Sequence, residues 1–174
     1  MRSTLSYLAV DVRPVASCDV LILETQLPFG VPEKHADRCA RQRRGQVIYL
    51  IAWYNGATIG HALLKWQGAE EDQVASRLQG TCPDVEDLFV LEPFRSQGVG
   101  RQILEAAERL ARERGLRHIG LSVAVNNPRA RVLYDRLGYR DAGLGPLHEH
   151  GEYVDASGRR RSWDEICVYL TKAL

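Results

Sequence analysis

The chain has 174 residues, 45% of them hydrophobic, and 23 lysines and arginines against 22 aspartates and glutamates for a formal net charge of +1. That length closes one sizeable core and is short for two, so a single domain over residues 1–174 is expected. The balanced charge lacks the basic excess of a protein that neutralises many phosphates, and no stretch approaches the roughly 20 apolar residues of a membrane span, so neither nucleic acid nor membrane is expected as a partner.

Residues 7–15 alternate in the manner of a first strand, and Asp11 and Arg13 break the apolar run that a signal peptide would need there. A cytoplasmic protein is therefore expected. Two short helices follow, "SCDVLILETQ" and "PEKHADRCARQRRG", joined by a Pro/Gly link around Pro28 and Gly30. Pro32 suits a first helical position and Gly45 a helix stop. The second helix has a thin apolar stripe (Ala36, Cys39, Ala40) beside Lys34, Arg38, Arg41, Arg43 and Arg44, so it is expected to be weakly held and solvent-facing.

Asn55-Gly56 divides "QVIYLIAWYNGATIGHALLKWQ" into two β-rich runs, the strongest short-range hairpin signal a sequence offers. Residues 70–84 read as a loop or short helix, and residues 85–90, "VEDLFV", as the next strand. A turn with the spacing R-x-x-G-x-G then opens a long helix. Its apolar positions Val99, Ile103, Leu104, Ala107, Leu110 and Ala111 recur at helical spacing, with Glu105/Arg109 and Glu108/Arg112 as pairs on the outer face. "RHIGLSVAV" reads as a strand and "NPRARVLYDRLG" as a helix with Asn127 as N-cap and Gly138 past its end. "EICVYLTKAL" reads as a closing strand, and residues 140–162 are polar and ambiguous.

This order gives an α/β fold: a mixed, mostly antiparallel sheet with a central parallel strand pair and flanking helices. Ligands of such sheets gather at the carboxyl ends of the parallel strands. The glycine turn sits there, at a helix N-terminus whose free N–H groups and partial positive charge suit a pyrophosphate. The plainer alternative is that Gly98 and Gly100 serve only a tight strand-to-helix turn. No P-loop lysine follows, and a dinucleotide fold would want a third glycine where Ile103 stands.

A second motif accompanies the first. Asn127, Ala130, Leu133, Tyr134, Gly138 and Tyr139 form N-x-x-A-x-x-L-Y-x-x-x-G-Y, after L-F-V-x-x-x-x-R-x-x-G-x-G from Leu88 to Gly100. Together, across residues 85–139, they resemble the GNAT superfamily of acyl-CoA-dependent N-acyltransferases. The resemblance implies an N-acetyltransferase that moves an acetyl group from acetyl-CoA, its cosubstrate, directly to a primary amine. It assigns the coenzyme pyrophosphate to Arg95, Ser96, Gln97, Gly98, Val99, Gly100 and Arg101. It assigns the pantetheine arm to the backbone of Leu88, Phe89 and Val90, and it has Asn127 and its helix complete the slot. Ser96 stands where the family often has glycine.

The resemblance also gives Tyr134 the part of general acid toward the coenzyme sulfur, although its neighbours Ala130, Leu133 and Leu137 equally suit core packing. For the amine proton the candidates are Glu86, Asp87 or an ordered water. Adjacent strand residues point to opposite faces, which would group Glu86 with Leu88 and Val90. "VEDLFV" resembles the wording of polyamine and diamine acetyltransferases, which favours Glu86; carboxylates that merely edge or cap the strand are the alternative. A backbone N–H near Val90 is the expected oxyanion donor.

Other features carry less. His148-Glu149-His150 lacks a third ligand at metal spacing, so no metal is expected and a solvated or acceptor-lining loop is. His61 reads as a satisfied strand histidine, and residues 159–161 as a solvated hairpin tip. Cys18, Cys39, Cys82 and Cys167 are scattered, which suggests buried reduced thiols and no zinc site or disulfide scaffold. Glu33, Asp37, Glu149, Glu152 and Asp155 could attract a small cationic acceptor such as a polyamine or an amine antibiotic. A protein N-terminus or lysine is the alternative acceptor, and a non-catalytic acyl-CoA sensor the alternative function. The family often pairs through sheet edges, so the resemblance admits a homodimer.

Overall fold

The computed structural model describes residues 7–27, 33–154 and 157–174. The expected link at Pro28 and Gly30, the position of Pro32, and Asp155 lie outside them. In chain order the elements are β1 (Asp11–Pro14), α1 (Val20–Gln26), α2 (Lys34–Arg43), β2 (Val47–Tyr54), β3 (Ala57–Lys65), α3 (Asp72–Leu78), β4 (Asp84–Val90), α4 (Val99–Glu113), β5 (His118–Ala124), α5 (Pro128–Arg136), β6 (Arg140–Val154) and β7 (Arg160–Ala173). They form a seven-stranded sheet of order β1-β2-β3-β4-β5-β7-β6. Every neighbouring pair is antiparallel except β4 and β5.

Alternation along the central strands sorts the core into two layers. Leu50, Ala62, Leu64 and Val85 join Val99, Ile103, Leu104, Ala107 and Ala111 of α4 on one face. Tyr49, Ile51 and Leu63 meet Leu23, Leu27 and Cys39 on the face covered by α1 and α2. Each fully buried aliphatic side chain in these layers contributes about 1.5–3 kcal/mol relative to exposure. Asn55 and Gly56 both take positive φ, 49° and 77°, as the two-residue hairpin turn requires.

Several expectations need correction. The first strand is shorter than residues 7–15, because residues 7–10 cross the start of α4. There the Leu8 N–H donates to Gln97 O (3.0 Å), and Gln102 binds Leu8 O and the Val10 N–H (2.7 and 3.2 Å). Helix α2 is not loosely held: Ala36 is exposed, and the buried face is His35, Arg38 and Cys39. His35 bridges Leu27 O and the Tyr49 hydroxyl (2.7 and 2.8 Å). Polar residues anchor this helix, which an apolar-stripe reading misses.

Glu108 likewise leaves the outer face of α4. It is buried, accepts from Tyr139 Oη (3.2 Å) and Lys172 Nζ (2.7 Å), and keeps only a 3.6 Å contact to Arg112. Glu105 pairs backwards, with Arg101 (2.7 Å). The ambiguous residues 140–162 contain a long strand, β6, and the start of its partner β7. His148, Glu149 and His150 are strand residues opposite Ile166, Glu165 and Asp164, so the expected loop does not exist. Their period-2 pattern is hidden in sequence because little of β6 is apolar. Of the four cysteines, all unpaired, Cys18 is exposed and the other three are buried.

Candidate active site

Strands β4 and β5 start side by side and then part. Among the described residues their ladder is one pair, Asp84 opposite Gly120, with the Gly120 N–H bonded to Pro83 O (2.9 Å). Above Gly120 lies the Tyr169 hydroxyl, which donates to Asp84 Oδ1 (3.0 Å); a Cβ at Gly120 would stand 2.3 Å from it. Glycine is what lets this side chain cross β5 and tie β7 to β4. Beyond the tie, the β5-facing edge of β4 has no strand partner, so its backbone groups are available to an extended ligand.

The glycine turn stands at the mouth of this splay. Gly98 is the N-cap of α4 with φ 85°, and Ser96 takes φ 62°, the left-handed conformation that glycine adopts at least cost. This explains why glycine is natural at position 96. Its Oγ accepts a hydrogen bond from Arg129 Nη2 (2.7 Å), a residue of α5 that the motif reading missed. Arg95 turns back to Val90 O (2.8 Å), and Gln97 to Pro93 O (2.7 Å), so these side chains brace the turn from within. A Cβ on Gly98 would fall 2.2 Å from the Tyr7 ring, which is packed against the outside of the turn with Arg101 over it.

Asn127 caps α5 by accepting from the Ala130 N–H (3.1 Å). The helix delivers Tyr134 into the cluster that holds Val85 of β4 and Val123 of β5. Tyr134 is 7% exposed, and burial pushes its pKa up to about 12. Its hydroxyl makes no hydrogen bond among the described residues, while its ring lies 6.0 Å from that of Tyr139. A phenol in this state keeps its proton at neutral pH and has it available.

Strand β4 corrects the expected facing of the two carboxylates. Asp87 has φ 57°, and the ladder to β3 slips there, so that Asp87 and Leu88 together stand opposite Ala62. After the bulge Leu88 and Val90 pack on the α4 side, whereas Phe89 stacks on His61 (5.4 Å) on the α1/α2 side. Glu86 and Asp87 share the latter face. Glu86 therefore does not group with Leu88 and Val90.

The two acids have different surroundings. Asp87 is gripped by Arg38 and by Lys34 (3.2 Å) of α2, and these cations hold its carboxyl below the usual carboxylate range against the cost of burial. A carboxylate so held is a poor base. Glu86 is 49% exposed and meets Lys65 through Oε2 (2.9 Å). His61 is buried among Phe89, Tyr49 and His35, and burial, with the Arg38 charge, drives its pKa down, so the ring is neutral.

Across the splay Glu149 of β6 faces the same side; burial raises its pKa, and its Oε1 is buried without a hydrogen-bond partner among the described residues. Of the other acids named for a cationic acceptor, Glu33 and Asp37 are exposed at α2, and Glu152 lies 3.7 Å from Arg160. His148 and His150 are both exposed, and no group of three metal-ligating side chains occurs among the described residues. Cavities of about 290 and 540 Å³ lie beside α3, and neither is lined by the two motifs. No helix among the described residues is long and apolar enough to cross a membrane.

Residues 19–139 match the Acetyltransferase (GNAT) family. Over 60 residues the chain is 35% identical to the uncharacterized N-acetyltransferase YycN of Bacillus subtilis strain 168, covering 34% of this chain and 38% of that protein. It is 38% identical over 60 residues to the streptothricin acetyltransferase of Streptomyces lavendulae, covering 34% of this chain and 32% of that one. The chain thus spans less than two thirds of the length of either relative. In fold it is similar to a GNAT family acetyltransferase from Elizabethkingia anophelis with acetyl-CoA bound, with a TM-score of 0.60 at 18% identity over 95% of this chain and 98% of that one.

Proposed function

Since the chain belongs to the GNAT acetyltransferase family, we propose that it is an acetyl-CoA-dependent N-acetyltransferase acting by direct transfer on a primary amine of a small cationic molecule. The observation that carries this reading is the splay after the Asp84–Gly120 pair, with an anion-binding turn at its mouth and a protonated Tyr134 along its wall. The streptothricin acetyltransferase and the acetyl-CoA-bound neighbour support it by their own activities and ligand.

The residues present suit acetyl-CoA. The N–H groups of residues 96–100 receive the pyrophosphate, with Arg129 steadying Ser96. The open edge of Leu88, Phe89 and Val90 pairs with the pantetheine arm, and a backbone N–H near Val90 stabilises the oxyanion. Attack requires a neutral amine, whereas an alkylamine is mostly protonated at neutral pH. Glu86, half exposed on the α1/α2 face, takes the amine proton directly or through a water. Tyr134 gives its proton to the departing thiolate. The C–N bond forms to give the tetrahedral oxyanion, which collapses as the C–S bond breaks. The ammonium loses one proton before attack and a second from nitrogen after it, of which one is balanced by the proton delivered to sulfur and the other leaves to solvent through Glu86.

The half-exposed Glu86 places a carboxylate on the acceptor side, and the buried Glu149 offers a hydrogen-bond acceptor there, which favours a polyamine or an amine antibiotic over a neutral amine. The four unpaired cysteines fit a reducing, cytoplasmic setting. The test is thiol release from acetyl-CoA across a panel of polyamines, amino acids, amine antibiotics and N-terminal peptides. Acceptor-dependent release with the cationic compounds is expected. Coenzyme binding without release from any acceptor would turn the reading to an acyl-CoA sensor.

A further inference from the structure

Lys65 is a buried cation for which the steps above have no use. It ends β3, opposite Asp84 and next to Val47, and its side chain is only 10% exposed. Its ammonium lies 2.9 Å from Glu86 Oε2 and 3.2 Å from Glu70 Oε1. The contact to Lys65 runs through Glu86 Oε2, and the Glu86 side chain is 49% exposed. We propose that Lys65 is a positioning residue that holds the Glu86 carboxylate by one oxygen and leaves the other free for the acceptor.

The inference rests on the proton role given to Glu86. A glutamate 49% exposed on a strand would otherwise sample many rotamers, at an entropic cost when one is selected. A charge-assisted hydrogen bond from a cation that is itself fixed makes that selection before the acceptor arrives. Lys65 is fixed because it is buried and shared: burial works against its charge, but Glu86, Asp84 and Glu70 outweigh it and raise its pKa.

The charge count matters as well. Lys65 with Glu86 and Glu70 carries a net single negative charge, so the group still attracts an ammonium. Asp84 lies two residues before Glu86 on the same face, Glu71 and Glu149 also act on this cluster, and Arg41 and Asp72 line the cavity that Lys65 borders. An apolar residue at position 65 would leave Glu86 and Asp84 facing each other without a cation between them. Like charges so placed repel, and the Glu86 carboxylate would lose the contact that orients it.

The experiment is a carbon-13 NMR titration of the Glu86 carboxyl, which needs no acceptor, in wild type, Lys65→Met and Lys65→Arg. Lys65→Met should make Glu86 about tenfold easier to protonate and move the acid limb of kcat/KM to higher pH by the same factor. Lys65→Arg should keep both where wild type has them. An unshifted Glu86 titration in folded Lys65→Met overturns the proposal.

Should Lys65→Met fail to fold, hydrogen exchange at Lys65 Nζ is compared in wild type and Glu86→Gln. Faster exchange in the variant supports the contact, and unchanged exchange overturns it. Wild-type turnover in Glu86→Gln together with a shifted titration in Lys65→Met would refute the proton role of Glu86, and with it the task of Lys65, while leaving their contact intact.

Discussion

Glu86 and Asp87 are consecutive strand residues, yet their carboxylates stand on one face of the sheet, because Asp87 takes φ 57° and β4 bulges there. Regular pleating would have sent one of them into the α4 core. The bulge places both on the α1/α2 face, and α2 then neutralises one of them: Asp87 is bound by Arg38 and Lys34, Glu86 is not.

Replacement of Asp87 by alanine should destabilise the protein by about 1–2 kcal/mol in urea unfolding at pH 7. Arg38, 4% exposed, loses a counter-ion, and the modest size follows from Asp87 being 40% exposed. The folded-state pKa of Asp87 is depressed, so its contribution is present above the unfolded value of about 4 and is lost as pH falls through the lower folded one. The difference between wild type and variant should therefore shrink below about pH 4. An equal difference at pH 3 and pH 7 would show that the bulge conformation, and not the ion pair, carries the effect.

Asp84 has the opposite sign. Burial raises its pKa to about 7, against the pull of Lys65 and the Tyr169 hydroxyl. A raised folded pKa stabilises below the unfolded value, and that contribution is lost as pH rises through the folded one. Asp84→Asn, which can still accept from Tyr169, should gain on wild type between about pH 4 and pH 7, by an amount on the order of a few kcal/mol. Urea unfolding at pH 4.5 and pH 7.5 measures this, and a gap that does not change between the two pH values would contradict it.

Tyr134→Phe should leave stability and acetyl-CoA affinity close to wild type, because its hydroxyl makes no hydrogen bond among the described residues. Turnover should fall about a hundredfold, the scale of a lost general acid. Calorimetric binding and steady-state kinetics separate the two effects. A wild-type rate would return Tyr134 to core packing.

Gly98→Ala should weaken acetyl-CoA binding for two separable reasons. The φ of 85° disfavours any side chain, and the added Cβ would strike the Tyr7 ring. Adding Tyr7→Ala should restore part of the lost affinity by relieving the clash, while the backbone cost remains. If the double variant binds no better than Gly98→Ala, the ring does not support the turn.

The sequence by itself determined the elements whose signals are local. The Asn55-Gly56 hairpin, the Asn127 cap, the apolar stripe of α4 and the two glycine-bearing motifs each follow from conformational rules acting over a few residues. Their order sufficed to indicate the parallel pair, and the two motifs the family. Tertiary structure decided what depends on partners distant in the chain. Strand β6 is held by pairing with β7, and not by an apolar pattern of its own. Arg38, His35 and Glu108 are buried because Asp87, Tyr49 and Lys172 reach them from other elements. The facing of Glu86 turned on one bulge, set by the register of β3 against β4, and its partner Lys65 lies on another strand. A local rule gives a side chain its most common direction; long-range register and charge pairing fix the direction it takes.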